Sequence, residues 1–286
     1  MNKNIKIKMA IPKGKLQVEI VKLLEEVGLS FKSNERNYRP ICSDSRFEIK
    51  LLKSQNIPKL VELEQHDIGF AGLDWIAEQK ADVKVLKSLG FNPVEIVACI
   101  PDNWDYADLK KRKIIVATEY KTLSDKFLSE NGFDYQLIRS YGATEVFPPE
   151  DADMIIDNTS TGTTILANHL KIVDTVYTSN TQFFANQSCL DDPEKKVVID
   201  DMLVLINGVL NGRKRVLLEM NCDEANIEKV VNLLPAMRAP TVAKLYNSKD
   251  YAVRAAVKMS EVKSLIPQLI KAGAIDILEI PIRKAI

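Results

Sequence analysis

The strongest constraint on the fold is an alternation, repeated along the first half of the chain, between short apolar stretches and stretches with helical spacing. Residues 5–11 (IKIKMAI) alternate at period two, and residues 16–27 then repeat apolar side chains at helical spacing as far as Gly28. The same patterns predict further strands at 47–52, 67–71, 94–100, 113–118, 135–140 and 153–156, and further helices at 57–64, 75–78, 121–131 and 165–170. Strands separated by helices predict βα units built around parallel sheets.

The C-terminal part of the chain follows a different order. A connecting helix is predicted at 196–210, followed by a strand at 215–220, a helix at 224–234, strands at 241–246 and 251–258, a helix at 261–272 and a strand at 275–282. This βαββαβ order predicts a ferredoxin-like domain. A length of 286 residues is compatible with more than one domain.

Charge and cysteine content exclude several classes of protein. The 39 basic and 39 acidic residues cancel, which argues against a nucleic acid or a membrane surface as a partner. The four cysteines are far apart in sequence, which favours free thiols in a reducing cytoplasm over disulfides or a zinc site. No stretch approaches about 18 uninterrupted apolar residues, so we expect no membrane-spanning segment.

The chain has two histidines, His66 and His169. No G-x-S-x-G motif accompanies them, so the sequence does not indicate a nucleophile activated by histidine. We expect a structural role for both.

The segment 157–164 (DNTSTGTT) is the most informative for function. A predicted strand delivers the carboxylate of Asp157 to its carboxyl end, and five hydroxyl side chains then surround Gly162 before a helix begins. Hydroxyls and helix N-terminal N–H groups bind phosphate well. An ordinary helix cap also uses Ser or Thr, but it needs only one such side chain. The pattern favours a phosphate-binding loop.

Residues 12–15 (PKGK) form a similar strand-to-helix turn in the first layer. Lys13 and Lys15, on either side of Gly14, could hold a di- or triphosphate beside a helix N-terminus. The turn lacks the G-x-x-x-x-G-K-[ST] pattern of a Walker A loop. Taken alone, this motif is explained slightly better by a solvated turn whose lysines face water.

Residues 67–74 (DIGFAGLD) combine two glycines with two carboxylates. Gly69 and Gly72 would let a ligand approach the backbone, although relief of crowding in a turn explains them as well. Glu119 and Glu145 also follow predicted strands. They could therefore face the same cleft as the loop 157–164 and the turn 12–15, at the carboxyl ends of the strands.

Taken together, these motifs resemble the ATP phosphoribosyltransferase family in its long, regulated form. The resemblance rests on segments that occur in family order and cover nearly the whole chain: 10–16 (AIPKGKL), 57–61 (IPKLV), 67–72 (DIGFAG), 118–120 (TEY), 152–157 (ADMIID), 160–164 (STGTT), 167–168 (AN), 233–235 (LLP), 240–242 (PTV), 273–274 (GA) and 280–282 (IPI). Each segment is weak alone, and the ordered set is specific.

The resemblance implies an α/β fold with a bilobed, periplasmic-binding-protein-like catalytic region and a C-terminal ferredoxin-like βαββαβ regulatory domain. Lobe I would take residues 1–97 with 175–200, lobe II residues 98–174, and the regulatory domain residues 205–286. The implied reaction joins N1 of ATP to C1 of phosphoribosyl pyrophosphate, releases pyrophosphate and uses Mg bound mainly through substrate. Histidine would inhibit the enzyme, and six copies would form a homohexamer.

The resemblance also assigns residues to the sites. The phosphoribosyl pyrophosphate site would consist of Asp157, Ser160, Thr161, Gly162, Thr163, Thr164 and Glu145; the nucleotide and pyrophosphate site of Lys13, Gly14, Lys15, Gly69, Gly72 and Asp74; and the histidine site of Asn221 and Thr241. No residue is assigned as a general acid or base, because adenine N1 is already an unprotonated nucleophile.

The chain departs from the family pattern at several of these positions. Lys15 stands where arginine is usual, which replaces a bidentate fork by a point charge, and Asn158 stands where the family usually has an aliphatic residue. The segment between Glu145 and Asp157 is one residue short, so the reach of Glu145 depends on a shortened loop. Ala243 and Lys244 follow 240–242 where Ser-Pro is usual.

Two alternative functions fit the same sequence. A bilobed small-molecule sensor would bind one anionic ligand and release no pyrophosphate. A catalytic subunit that needs a partner protein, as short members of the family do, would be inactive alone, although the C-terminal βαββαβ segment argues against it.

Overall fold

The computed structural model describes residues 5–32, 37–237 and 239–286. The chain divides into two compact units. Unit 1 runs to Glu25 and then from Leu29 to Val198, and unit 2 takes Glu26–Gly28 and Ile199–Ile286.

Unit 1 follows a strand–helix order over most of its length. Its elements are β1 (Ile7–Pro12), α1 (Lys15–Val27), β2 (Phe31–Lys32), β3 (Ile41–Cys42), β4 (Phe47–Leu52), α2 (Ile57–Glu62), β5 (Ile68–Gly72), α3 (Leu73–Glu78), β6 (Lys84–Ser88), β7 (Val94–Pro101), α4 (Tyr106–Leu109), β8 (Ile114–Thr118), α5 (Lys121–Glu130), β9 (Tyr135–Arg139), β10 (Met154–Thr159), α6 (Thr163–Ala167), β11 (Leu170–Ser179), β12 (Thr181–Ala185) and α7 (Gln187–Asp191). Single 3₁₀ turns lie at Ser54–Asn56 and Thr144–Val146.

The strands of unit 1 form two five-stranded sheets, which define its two lobes. The lobe I sheet has the order β4-β1-β5-β12-β6 and the lobe II sheet the order β11-β7-β10-β8-β9. The chain therefore enters lobe II at β7 and returns to lobe I through β12. Phe183 of β12 stacks on Phe70 of β5 with ring centroids 4.9 Å apart, so the returning strand is fixed within the apolar centre of lobe I.

Both sheets are mixed, whereas the sequence predicts parallel sheets. In lobe I, β1 is parallel to β4 and β5, but β12 is antiparallel to β5 and β6. In lobe II, β10 is parallel to β8, and β7 is antiparallel to β10 and β11. The parallel prediction is wrong at β7, which is antiparallel to β10. The strands β11 and β12, which the sequence analysis does not predict, are antiparallel to their neighbours as well. The chain enters lobe II through β7 and returns to lobe I from β11 to β12, so these strands do not belong to the βα units that the sequence pattern indicates.

The lobe boundaries also differ from the expected ones. The lobe II sheet spans residues 94–179, compared with the predicted 98–174, because β7 and β11 are paired along their whole length. The helix expected at 165–170 ends at Ala167 instead. His169 has a left-handed φ of 55° that stops the helix, and β11 begins at Leu170.

A long helix, α8 (Pro193–Arg213), runs from the end of unit 1 into unit 2 and is longer at both ends than the predicted 196–210. Unit 2 continues with β13 (Arg215–Cys222), α9 (Ile227–Leu233), β14 (Thr241–Lys244), β15 (Tyr251–Lys258), α10 (Met259–Lys271) and β16 (Ile275–Pro281). The predicted βαββαβ order is therefore confirmed.

The sheet of unit 2 is antiparallel, with the order β14-β15-β13-β16. This is the ferredoxin-like arrangement. Val216, Leu218 and Met220 of β13 are buried with Val230 of α9 and Leu265 of α10, so both helices cover one face of the sheet. The other face carries the alternate side chains of β13, including Glu219 and Asn221. No helix in the described part of the chain is both long and apolar enough to cross a lipid bilayer.

Candidate functional site

A cleft of about 680 Å³ lies between the two lobes of unit 1. Lobe I contributes the carboxyl ends of β1, β4 and β5, and lobe II contributes those of β8 and β10. Open α/β sheets place ligands at such strand ends. The predicted site residues on its wall are Lys13, Lys15, Gly72, Asp74, Glu145, Asp157, Ser160, Thr161, Thr163 and Thr164.

The loop after β10 turns at Gly162, which has a left-handed φ of 73°. The N–H of Gly162 donates to Thr159 Oγ1 at 2.9 Å, and the hydroxyls of Thr161 and Thr163 are hydrogen-bonded to each other at 2.9 Å. Helix α6 begins directly afterwards with Gly162 as its N-cap, a residue without a side-chain acceptor for the first N–H groups. The loop thus presents hydroxyls and backbone N–H groups together at the cleft.

Asp157 is the carboxylate at the start of this loop. Its Oδ1 accepts the backbone N–H of Asn158 at 2.7 Å and the Asn158 side-chain amide at 3.2 Å. Burial raises the pKa of Asp157, and the charges of Glu119 and Glu145 add to that increase, while a hydrogen bond from Thr144 opposes it. Hydrogen-bond donors or a cation brought in by a ligand would therefore stabilise the ionised form of Asp157.

The lobe I side of the cleft is basic. Gly14 has a φ of 90°, which forms the turn between β1 and α1, while Lys13 and Lys15 on either side of it reach the cleft. The Lys13 ammonium also lies 4.0 Å from the centre of the Tyr38 ring. Lys53, directly after β4, lines the same wall. Sequence reasoning missed Lys53, although its place at the end of a predicted strand was an available signal.

The two glycines of 67–72 differ in position. Gly72 lines the cleft, and a Cβ there would collide with the carboxylate of Asp74. Gly69 is not on the cleft wall. A Cβ there would lie 2.7 Å from Ile57 and 3.2 Å from Phe184, so Gly69 allows α2 to pack closely on β5.

Asp74 is buried, and each of its two carboxylate oxygens accepts a hydrogen bond from another side chain. Ser179 donates its hydroxyl to Asp74 Oδ1 at 2.6 Å, and the Tyr120 hydroxyl donates to Oδ2 at 3.0 Å. Burial and the Asp74 charge raise the pKa of Tyr120, so the phenol stays protonated and remains a donor. Its oxygen in turn accepts from the side-chain amide of Asn158 at 3.2 Å. Hydrogen bonds thus run from Asp74 in lobe I through Tyr120 and Asn158 to Asp157.

Further contacts join the lobes beside this network. The Trp75 ring of lobe I stacks on Tyr120 with centroids 4.7 Å apart. Glu78 of lobe I accepts the N–H groups of Thr122 and Leu123 at 2.9 and 3.0 Å, and so caps the N-terminus of α5 from the other lobe. These partners are 44 or more positions apart in sequence, and sequence analysis did not find them.

Other polar and nucleophilic groups have limited roles at the cleft. Burial, followed by the Asp157 charge, raises the pKa of the Cys99 thiol on the cleft wall to about 12, so the thiol is a poor nucleophile. Neither His66 nor His169 lines the cleft. Within the part of the chain that the structure describes, no three His, Cys, Asp or Glu side chains are grouped as metal ligands.

In unit 2, Asn221 and Thr241 lie on the sheet face opposite α9 and α10. Asn221 is opposite Ala252 in register and Thr241 is opposite Arg254, so both share this face of β15. Asn221 donates to Asp276 Oδ2 at 3.0 Å, and Thr241 is exposed.

Comparison with known proteins gives matches along the full chain. The family profile described as ATP phosphoribosyltransferase matches residues 53–208, and the profile described as HisG, C-terminal domain, matches residues 212–284. The chain is 38% identical to the ATP phosphoribosyltransferase of Chlorobium phaeovibrioides, over 100% of this chain and 99% of the relative. It is 36% identical to that of Pelotomaculum thermopropionicum, over 99% of this chain and 100% of the relative.

A solved structure supports the fold of the catalytic region. The ATP phosphoribosyl transferase (HisG:HisZ) complex from Thermotoga maritima matches with a TM-score of 0.62 and 22% identity, over 70% of this chain and 98% of that chain. At this identity the likeness concerns the fold alone. The first profile matches more than half of the chain, and the second covers most of unit 2. The chain therefore belongs to the ATP phosphoribosyltransferase family, in the long form with a C-terminal regulatory domain, and is an enzyme of the first step of histidine biosynthesis.

Proposed function

We propose that the chain transfers the phosphoribosyl group of phosphoribosyl pyrophosphate to N1 of ATP and releases pyrophosphate. One observation carries the proposal: a loop of hydroxyls and one carboxylate, at Asp157–Thr164, faces three lysines across one cleft. The volume of about 680 Å³ lies within the range of small-molecule sites. Two anionic substrates need such a combination of phosphate-binding groups and positive charge.

The loop of lobe II holds the phosphoribosyl group. Asp157 accepts hydrogen bonds from the ribose hydroxyls, which offset the burial and repulsion that raise its pKa. The hydroxyls of Ser160, Thr161, Thr163 and Thr164 and the first N–H groups of α6 surround the 5′-phosphate. Gly162 provides the left-handed turn that this arrangement requires.

The lysines of lobe I bind the phosphates of the two substrates. Lys13 and Lys15 flank the turn at Gly14, and Lys53 lies on the same wall. Without these cations, two polyanions in one cleft would repel each other strongly. Gly72 and the network around Asp74 form the wall behind them, and Gly69 supports that wall through its packing with Ile57.

The chemistry follows from positioning and charge. The N1–C1 bond forms while the bond between C1 and the pyrophosphate oxygen breaks, and the electron pair leaves with pyrophosphate. Adenine N1 is unprotonated at neutral pH, so the attack needs no general base. Positioned reactants can recover about 7–11 kcal/mol of barrier, and the lysines stabilise the charge that develops on pyrophosphate.

Magnesium fits this cleft as an ion carried by the substrate phosphates. Glu119, Glu145 and Asp157 are oxygen donors on the wall, the ligand type that Mg²⁺ prefers, although no ligand set of three is preformed among the described residues. Bound there, magnesium neutralises phosphate charge. Glu145, on the shortened loop, is close enough to affect the pKa of Asp157 and reaches the cleft.

Pyrophosphate release from mixed ATP and phosphoribosyl pyrophosphate tests the reaction, with Asp157→Asn and Gly162→Val as site variants. Two matched controls are available. Asp151→Asn removes the same charge ahead of β10, and Gly132→Val introduces the same strain, since Gly132 also has a φ of 73° but lies after α5. We expect the site variants to lose at least tenfold in turnover, about 1.4 kcal/mol of barrier, and the controls to stay within twofold.

Three results would contradict the proposal. Full turnover in both site variants would place the phosphoribosyl site elsewhere. Tight binding of one anion without pyrophosphate release from the unchanged chain would favour a sensor, and activity only with an added protein would favour a subunit that needs a partner.

Feedback inhibition by histidine is the second part of the proposal. Asn221 and Thr241 share an open sheet face in unit 2, which could receive a polar effector. We expect Asn221→Ala with Thr241→Ala to weaken inhibition at least tenfold, and Asn232→Ala, on helix α9, to leave it unchanged. Equal inhibition of all three forms would exclude this face as the effector site.

Assembly and location complete the proposal. We propose a homohexamer, measurable as six-fold mass by sedimentation, in the cytoplasm. The four free cysteines favour a reducing compartment.

A further inference from the structure

A second cavity, of about 310 Å³, lies in lobe I and shares no lining residue with the cleft. Lys8 of β1 and Lys50 of β4 project from the same face of the sheet, because Lys8 pairs with Glu48 and Ala10 pairs with Lys50 in parallel register. Arg39, Glu48, Gln65 and His66 are the other polar residues of its wall. The cavity is therefore formed by residues from four separate segments of lobe I.

Positive charge predominates around this cavity. Lys8, Arg39 and Lys50 are its three cations, and Glu48 is its one carboxylate, so the net charge is 3 − 1 = +2. Glu48 also lies 3.9 Å from Lys6, outside the cavity wall. Within residues 5–32, 37–237 and 239–286, the side chains of the three cations make no hydrogen bond or ion pair. A net positive charge around one small concavity favours an anionic occupant.

His66 is the buried component of the wall. It is 7% exposed, and its Nδ1 has no hydrogen-bond partner in the described part of the chain. Burial lowers the pKa of His66, the charges of Lys50, Lys8 and Arg39 lower it further, and Asp67 opposes them. The imidazole is thus held neutral beside a positive cavity, and a bound anion would remove much of the repulsion on its protonated form.

We propose that this cavity binds a compact multivalent oxyanion of the phosphate class. Lys8, Lys50 and Arg39 approach it from different segments, which suits an ion with several oxygens. The volume is at the small end of the range for ligand cavities and less than half that of the cleft, which favours a phosphate group over a whole nucleotide.

Histidine NMR is a direct test, because the chain has only two histidines. Inorganic phosphate should shift the ring signal of His66 in a saturable way and raise its pKa by about one unit. The exposed His169 is the internal reference. Lys8→Gln with Lys50→Gln should abolish the shift, and Lys84→Gln, on the other edge strand of the same sheet, should keep it.

The comparison of anions makes the test specific. Sulfate should compete with phosphate, and singly charged acetate at the same concentration should not. An unmoved His66 signal in phosphate, an equal shift in the double variant, or an equal effect of acetate would overturn the proposal. The NMR signal of His66 reports binding in this cavity and not turnover in the cleft. The test therefore stands or fails independently of the proposed reaction.

Discussion

Replacing Tyr120 by phenylalanine tests whether a buried hydrogen bond joins the two lobes. The change removes only the hydroxyl, which donates to Asp74 at 3.0 Å and accepts from Asn158 at 3.2 Å. The ring stacked on Trp75 is retained. The perturbation therefore removes polar interactions and leaves the packing of the interface intact.

The expected cost follows from burial. Tyr120 is 1% exposed and Asp74 is 3% exposed, so water cannot replace the lost donor without rearrangement. A hydrogen bond to a charged group contributes about 1.5–3 kcal/mol. Asp74 keeps the hydroxyl of Ser179 at 2.6 Å, so we expect the free energy of unfolding of unit 1 to fall by about 2 kcal/mol.

Urea denaturation followed by tryptophan fluorescence measures this quantity. Both tryptophans, Trp75 and Trp104, lie in unit 1, so the signal reports this unit. Tyr135→Phe is the matched control, since its hydroxyl donates to Asp125 at 2.7 Å at the surface and water can replace it. We expect the control to lose less than about 1 kcal/mol. Equal losses in the two variants would refute the argument that burial makes the Tyr120 contact important.

Three further predictions use the same denaturation assay or the turnover assay. Burial raises the pKa of Asp157, so its ionised form weakens the folded state; Asp157→Asn should stabilise unit 1 at neutral pH and give no gain at about pH 3, where both side chains are neutral. A gain that is independent of pH would contradict this reasoning. Asn158→Leu removes the amide that links the lobe network to the carboxylate, and it should lower kcat/KM about tenfold, or 1.4 kcal/mol, with little change in stability. Glu78→Gln should cost about 1 kcal/mol through the cap of α5, whereas Glu130→Gln at the other end of that helix should cost less than about 0.5 kcal/mol; similar losses would exclude a capping role.

Much of the fold could be predicted because its signals are local. The strand Phe47–Leu52 and the βαββαβ order of unit 2 follow from the period of the apolar side chains. Helix α6 was predicted to end at residue 170, beyond its observed end at Ala167. Its end depends on the left-handed backbone at His169, and the residue that usually takes this conformation after a helix is glycine. The strands β11 and β12 were missed because no turn or helix signal separates them from their surroundings.

The contiguous motifs of the candidate site could be predicted from the sequence, whereas its long-range contacts could not. The loop at 157–164 and the turn at Lys13–Lys15 are contiguous in sequence and could be found there. The partners of Asp74 are 46 and 105 positions away, so no local pattern indicates that its carboxylate accepts hydrogen bonds from Tyr120 and Ser179. Gly69 could not be distinguished from Gly72, because only the packing of α2 on β5 shows which of them faces the apolar core.

The place of β12 has a consequence for how the chain acquires its structure during synthesis. The five strands of lobe II come from the continuous stretch 94–179, whereas the lobe I sheet needs Thr181–Ala185 between β5 and β6. Lobe I emerges from the ribosome first, but its sheet cannot be completed until β12 has been synthesised, after all of lobe II. We expect lobe II to become protease-resistant first on a stalled nascent chain, while the N-terminal half of lobe I remains exposed and dependent on chaperones.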